Sequence, residues 1–155
     1  MKEVTIERLG PEEDMPYDLL LLADETMEAI HKYAHRSNVY VARHENSSRP
    51  IAAFVLQMSS DTEMEIWNIA VVPEFQGKGI GSYLLNWICL YAQLNNCKII
   101  WVGTPDSALR QINFYQKNGF VISGIVKNYF IDNYPEPILE NGVYLKDMVL
   151  FKKEL

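Results

Sequence analysis

Val71-Val72-Pro73-Glu74-Phe75-Gln76-Gly77-Lys78-Gly79-Ile80-Gly81 is the stretch on which the reading of this chain turns. It joins an apolar strand, 63–72 (EMEIWNIAVV), to a long apolar-periodic run through three alternating glycines. Pro73 cannot donate to a sheet ladder, so the strand stops there. Beyond the loop, Ile80, Leu84, Ile88 and Tyr91 recur at helical spacing, with Leu85, Trp87 and Ala92 beside them, which predicts a buried helix from Ile80 to about Leu94. A glycine loop feeding a helix N-terminus suits an anion. Its backbone N–H groups are unobstructed, the helix end carries roughly half a positive charge, and a diphosphate can sit there. Lys78 adds a point charge.

Spacing separates the phosphate-binding motifs that compete for this loop. A P-loop needs Gly-Lys-Ser/Thr, and here Lys78 is followed by Gly79. A dinucleotide fingerprint needs glycine where Ser82 stands, and an acid about 20 residues on where the chain reads KIIWVG. A nucleotide-binding protein using the glycine loop alone stays as a remote reading.

Working outward, residues 2–9 alternate with period two and predict a half-buried strand. From about Pro16 to His35, Leu19, Leu22, Ala23, Thr26, Ile30 and Tyr33 predict one helix behind an acidic first turn. Residues 39–43 and 51–58 read as hairpin-connected strands, the second buried on both faces. On the far side lie a short strand at 98–102, a helix at about 107–118 closed by Asn118-Gly119, a strand at 120–126 and a last strand at about 143–151. Between the final two, 127–142 carries prolines and aromatics and reads as an ordered excursion. The expectation is one α/β domain over 1–155, with no internal linker.

Composition bounds the class. The chain has 155 residues, 48% hydrophobic and 22% charged, with eight glycines and seven prolines scattered without period, so repeat, collagen-like and disordered readings fall away. Fourteen basic against 20 acidic residues give a net charge of −6, the wrong sign for gripping nucleic acid or an anionic membrane. No apolar run reaches the roughly 18 residues that span a bilayer, and MKEVTIERLG is no signal peptide, so a soluble cytoplasmic protein is expected. Cys89 and Cys97 form neither a disulfide framework nor a metal set. His31 and His35 have a metal-pair spacing without a third ligand, and no metal is expected. Cys89 lies in an apolar run and reads as packing, not as an acyl carrier.

The loop resembles the acyl-CoA loop of the GNAT superfamily of N-acyltransferases, Gln/Arg-x-x-Gly-x-Gly/Ala after a strand ending Val-x-Pro. Gln76, Gly79 and Gly81 match it. A second family element, an aromatic and Tyr followed by Gly-Phe, is present in order as Phe114-Tyr115-Gln116-Lys117-Asn118-Gly119-Phe120. The direct resemblance spans about residues 63–126. Many members carry an Asn where this chain has Asp106-Ser107-Ala108. The resemblance implies a mixed, mostly antiparallel twisted sheet of about six to seven strands with helices on both faces. It also implies acetyl transfer from acetyl-CoA to a primary amine by direct attack in a ternary complex. Residues implied to hold the cofactor are Ala70 and Val71, on a splayed strand, and Gln76, Gly77, Lys78, Gly79, Ile80, Gly81 and Ser82.

The acceptor must be neutral to attack, yet an amine with a pKa near 10.4 is only roughly one part in a thousand or less neutral at pH 7. The family glutamate eleven residues before the Gln/Arg corresponds to Glu65, implied as general base directly or through water. By strand alternation it shares a face with Trp67, Ile69 and Val71. The bland alternatives are an exposed Glu65, or Glu63 in the role. Tyr115 is the implied proton donor to the CoA thiolate, the alternative being a core tyrosine. Residues 11–30 hold seven acids and no Lys or Arg, consistent with a cationic acceptor or with a solvated face. The 127–142 excursion either walls the acceptor cleft or packs a homodimer. A non-catalytic acyl-CoA-binding or sensing module is the alternative function.

Overall fold

β4 (Glu63–Val71), the strand that Pro73 ends, is the axis around which the computed structural model is built, and residues 1–155 are all described. Seven strands form one sheet in the order β1 (Val4–Arg8), β2 (Asn38–His44), β3 (Ala52–Met58), β4, β5 (Ile99–Pro105), β9 (Met148–Glu154), β6 (Val121–Val126). Only β4 and β5 run parallel; every other neighbour pair is antiparallel.

Helices cover both faces because β2 and β3 are apolar on both. α3 (Ile80–Leu94) and α4 (Leu109–Lys117) lie over one face, where Leu84, Leu85 and Ile88 meet Phe54, Leu56, Ile66 and Phe151. On the other, α1 (Tyr17–Leu20) and α2 (Met27–Tyr33) pack Leu19, Leu20, Ile30 and Tyr33 on Val39, Val41, Ala53 and Val55. Each of these large apolar side chains contributes about 1.5–3 kcal/mol by leaving water.

Three expectations change. The helix expected over Pro16–His35 is two, α1 and α2, followed by a 3-10 turn at Ala34–Arg36. The apolar period runs through both, but Thr26 is extended and its hydroxyl accepts from the N–H of Ala29 at 3.1 Å, starting a new helix. Asp24 accepts from the N–H of Glu25, an alternative to helical bonding that short polar side chains offer. The last strand starts at Met148, not near 143: Val143–Tyr144 (β8) instead pairs with Leu139–Glu140 (β7). Asn141 and Gly142 both have positive φ, the conformation a two-residue hairpin turn requires.

The third change falls on β4 itself. Val55 pairs with Asn68 and Leu56 with Ile66, leaving Trp67 as a bulge that resets the alternation. Ile69 and Val71 therefore pack toward α3, while Trp67 packs on the α1–α2 side and Asn68 reaches the Leu20 carbonyl and Tyr33 hydroxyl there. Glu65 does not share a face with Ile69 and Val71.

Candidate active site

β4 and β5 are paired from Glu63↔Ile99 to Ile66↔Val102, and no further. Beyond that point β4 stays on β3 as far as Val71↔Ala52, while Gly103–Pro105 stay on β9. The strands diverge and a cleft of about 560 Å3 opens between them. Ala70, Val71 and Gln76 line it from the β4 side, and Gly103, Thr104, Ala108, Gln111 and Tyr115 from the other.

The glycine loop leads from the β4 end of this wedge into α3. After a 3-10 turn at Pro73–Phe75, Gly77 (φ 73°) and Gly79 (φ 83°) are left-handed, and Gly79 is the N-cap of α3. No side chain caps that end and no acid lies in its first turn, so the first N–H groups of α3 are available to an anion. A Cβ on Gly77 would meet nothing within 4 Å, so open space lies beside the loop. Gly81 serves another purpose. Its missing Cβ would stand 3.0 Å from the ring of Phe114, so it lets α3 and α4 approach closely. The Ile80 side chain is in the core, leaving only its backbone to the loop surface, while Lys78 is exposed with its ammonium 5.2 Å from the Phe75 ring centroid. Gln76 is a latch: its amide donates to the Val71 carbonyl at 2.8 Å, and its oxygen accepts from Arg110 at 3.4 Å. The Val71 carbonyl, expected to be free, is thereby occupied. The sequence reading missed Arg110.

Glu65 and Tyr115 line the same cleft from opposite walls. Glu65 is half-buried, and burial raises its carboxyl above the ordinary glutamate range. Glu63, the alternative base, is engaged elsewhere, accepting from the Trp101 indole N–H at 2.6 Å. Tyr115 is buried with its ring against Phe114, Phe120 and Phe151. Burial pushes its phenol upward, so it holds its proton throughout the physiological range.

The sequence reading did not find the polar network at the far end of the cleft. Asn68, 4% exposed, donates to the Leu20 carbonyl and the Tyr33 hydroxyl, and Tyr33 donates to Asp24. Tyr134 donates to the other Asp24 oxygen at 2.8 Å. Tyr33 stacks on Trp67 and Phe130 on Tyr134, so the wall is aromatic. Tyr129, Phe130, Tyr134 and Glu140 all line the cleft, which shows that the 127–142 excursion walls it. Glu25 and Glu140 both line this end, and the Glu25 carboxyl is pushed up to about 7, first by burial and then by the neighbouring Glu140 and Asp24 carboxyls. A polar Asn68 inside an apolar strand was the one visible signal. His31 and His35 pack with Tyr17, whose hydroxyl hydrogen-bonds the His35 ring at 3.2 Å.

This arrangement, a strand pair that splays beside a glycine-capped helix, defines a class. The profile of the acetyltransferase (GNAT) domain family matches residues 35–122. The chain is 37% identical to the uncharacterized N-acetyltransferase YvbK of Bacillus subtilis over 150 residues, 96% of this chain and 95% of that one. A GNAT family acetyltransferase from Elizabethkingia anophelis, solved with acetyl-CoA bound, is 42% identical with a TM-score of 0.93 over 100% of both chains. A Bacillus subtilis acetyltransferase solved with CoA is 34% identical with a TM-score of 0.86, covering 98% of this chain and 99% of that one.

The chain belongs to the GNAT acetyltransferase family. Its mixed, mostly antiparallel seven-stranded sheet is the fold of that family, and its enzyme class is N-acetyltransferase. No helix is long and apolar enough to cross a membrane.

Proposed function

We propose that the protein transfers an acetyl group from acetyl-CoA to a primary amine by direct attack in a ternary complex. One observation carries the reading: the β4–β5 ladder ends just past Glu65, and the cleft that opens there has Glu65 on one wall and Tyr115 on the other. The residues fit the donor. Open space beside Gly77 and the free N–H groups of Gly79, Ile80, Gly81 and Ser82 suit a diphosphate, with Lys78 adding charge. The freed edge of β4 at Ala70 and Val71 lies open to the pantetheine arm, with the Val71 carbonyl already held by Gln76, and that latch fixes the turn of chain between edge and loop. Bound there, acetyl-CoA supplies the acyl thioester.

The chain supplies two proton positions. Glu65, with its carboxyl raised by burial, takes a proton from the incoming ammonium, directly or through one water, so that a neutral nitrogen attacks. Tyr115, held protonated by burial, donates to the departing CoA sulfur, and the proton that the attacking nitrogen sheds as the amide forms restores the phenol. The acidic, aromatic far end of the cleft faces the acceptor and favours a cation over an anion.

The experiment has two readings. Acetyl-CoA and CoA, but not ATP or NAD, should raise the melting temperature, since a ligand at 100 times its Kd stabilises by about 2.7 kcal/mol. Thiol release with an alkylamine panel, with the acetylated amine identified by mass, then establishes the reaction. Acetyl-CoA binding without thiol release across the panel would reduce the protein to an acyl-CoA-binding module.

A further inference from the structure

We infer that the far end of the cleft is a second-ammonium site, and that the acceptor is an aliphatic dication whose distal ammonium sits between Glu25 and Glu140. The inference rests on the acetyl-transfer reading of the same cleft and deepens it. Three observations point the same way.

The first is the imbalance of donors and acceptors. Four acids line this region from three elements: Asp24 and Glu25 from the turn before α2, Glu65 from β4 and Glu140 from β7. Asp24 already accepts from three protein donors, the Tyr33 and Tyr134 hydroxyls and the Glu25 N–H. Lys32 and Arg36 also line the cleft, but Lys32 is hydrogen-bonded to the Asn133 carbonyl at 3.2 Å and Arg36 to the Lys32 carbonyl. Neither forms an ion pair with Glu25 or Glu140. Two carboxyls thus share this end of the cleft without an ion pair to a protein cation.

The second observation is independent of the acids. Asn68 is buried on the cleft lining and its amide nitrogen is used twice, yet its carbonyl oxygen has no hydrogen-bond partner. Such an orphaned acceptor calls for a donor from the ligand. Through Tyr33 it is joined to Asp24, the neighbour of Glu25, and it lines the same cleft as Glu65 and Glu140. An ammonium has three donors and no acceptor, the complement of this wall.

The third is the apolar surface between the two ends. Trp67 stacked on Tyr33, and Tyr134 stacked on Phe130, offer ring surface to methylene groups and ring faces to a cation. A diamine then presents a reactive nitrogen beside Glu65 and its charge to the pair. Near neutral pH, where Glu25 titrates, binding the ammonium ionises the pair and expels a proton. Of the other groups facing this end, Tyr33, Tyr129 and Tyr134 are raised by burial and by Asp24 and stay neutral through this range, Glu65 is raised by burial, and Lys32 and Arg36 are the two cations of the lining.

The test is calorimetric binding to the enzyme–CoA complex of α,ω-diaminoalkanes, three to six carbons long, against the monoamines of equal chain length. One hydrogen-bonded charge is enough to favour the best diamine by about tenfold or more at pH 7. Its heat should vary with the ionisation enthalpy of the buffer as the proton leaves. Glu140→Gln and Glu25→Gln should each erase most of that preference and the buffer dependence. Equal affinity for diamine and monoamine, or a preference that survives in both variants, overturns the inference. Thiol release distinguishes the two levels: diamine preference without thiol release removes the acetyl-transfer reading alone, whereas thiol release equal for both amines removes the second-ammonium site alone.

Discussion

Glycines two residues apart in one motif do different physical work. Gly79 needs its left-handed backbone, which costs an L-residue roughly 1–2 kcal/mol, and nothing but the Met1 side chain crowds it. Gly81 has an ordinary backbone but touches Phe114. Gly81→Val should therefore cost about 1–3 kcal/mol by overpacking, seen in denaturant unfolding without ligand, and should slow turnover by displacing the neighbouring Tyr115. Stability unchanged in Gly81→Val would show that α4 yields without cost. Tyr115→Phe keeps the ring among Phe120 and Phe151, so its melting temperature should change little while kcat falls by about a hundredfold or more. A stability loss with kcat intact would make Tyr115 a core residue only. That Glu65 and Tyr115 line the cleft was legible through the family resemblance, because each stands at a fixed offset from or within its motifs. Glu25 and Glu140 were not, since only the folded chain brings two such distant positions together.

At the scale of elements, α3 and β4 could be read to within a residue because one apolar period and one proline decide them. The α1–α2 break could not. Helical periodicity continues across it, and what ends the helix is side-chain chemistry at Asp24 and Thr26. Thr26→Ala removes the cap of α2 and should cost about 1 kcal/mol in chemical denaturation, loosening the Tyr33–Trp67 stack that α2 carries. A stability equal to the parent would assign the break to Asp24 alone. The bulge at Trp67 was equally hidden, as strict alternation has no term for an extra residue. It matters most for the site, because it turns Asn68 toward Tyr33 rather than toward α3. The β7–β8 hairpin did carry a signal, Asn141-Gly142, masked by the prolines around it.

For the whole molecule, the acidic cleft ties stability to pH. Glu25 has an ordinary value of 4.5 when unfolded and about 7 in the fold, so between these the native state binds more protons. Its contribution is fully present below pH 4.5 and is lost as pH rises through 7, and Glu65, raised by burial, acts in the same direction. Denaturation midpoints should fall across this window, and Glu25→Gln should flatten the fall. An identical slope in the variant would place the pH dependence elsewhere. The mixed, mostly antiparallel sheet was legible only through the family resemblance, and its strand order not at all, since periodicity does not say which strands pair. The splay follows from that order, as β5 leaves β4 to follow β9.

The most direct test of the mechanism is the pH–rate profile of thiol release from acetyl-CoA with a saturating primary amine, compared between the parent and Glu65→Gln. If Glu65 is the base, the variant should be most impaired near pH 7, should recover toward about pH 10 as the amine loses its own proton, and should keep its acetyl-CoA affinity. An impairment of the same size at every pH, or none at all, would contradict it.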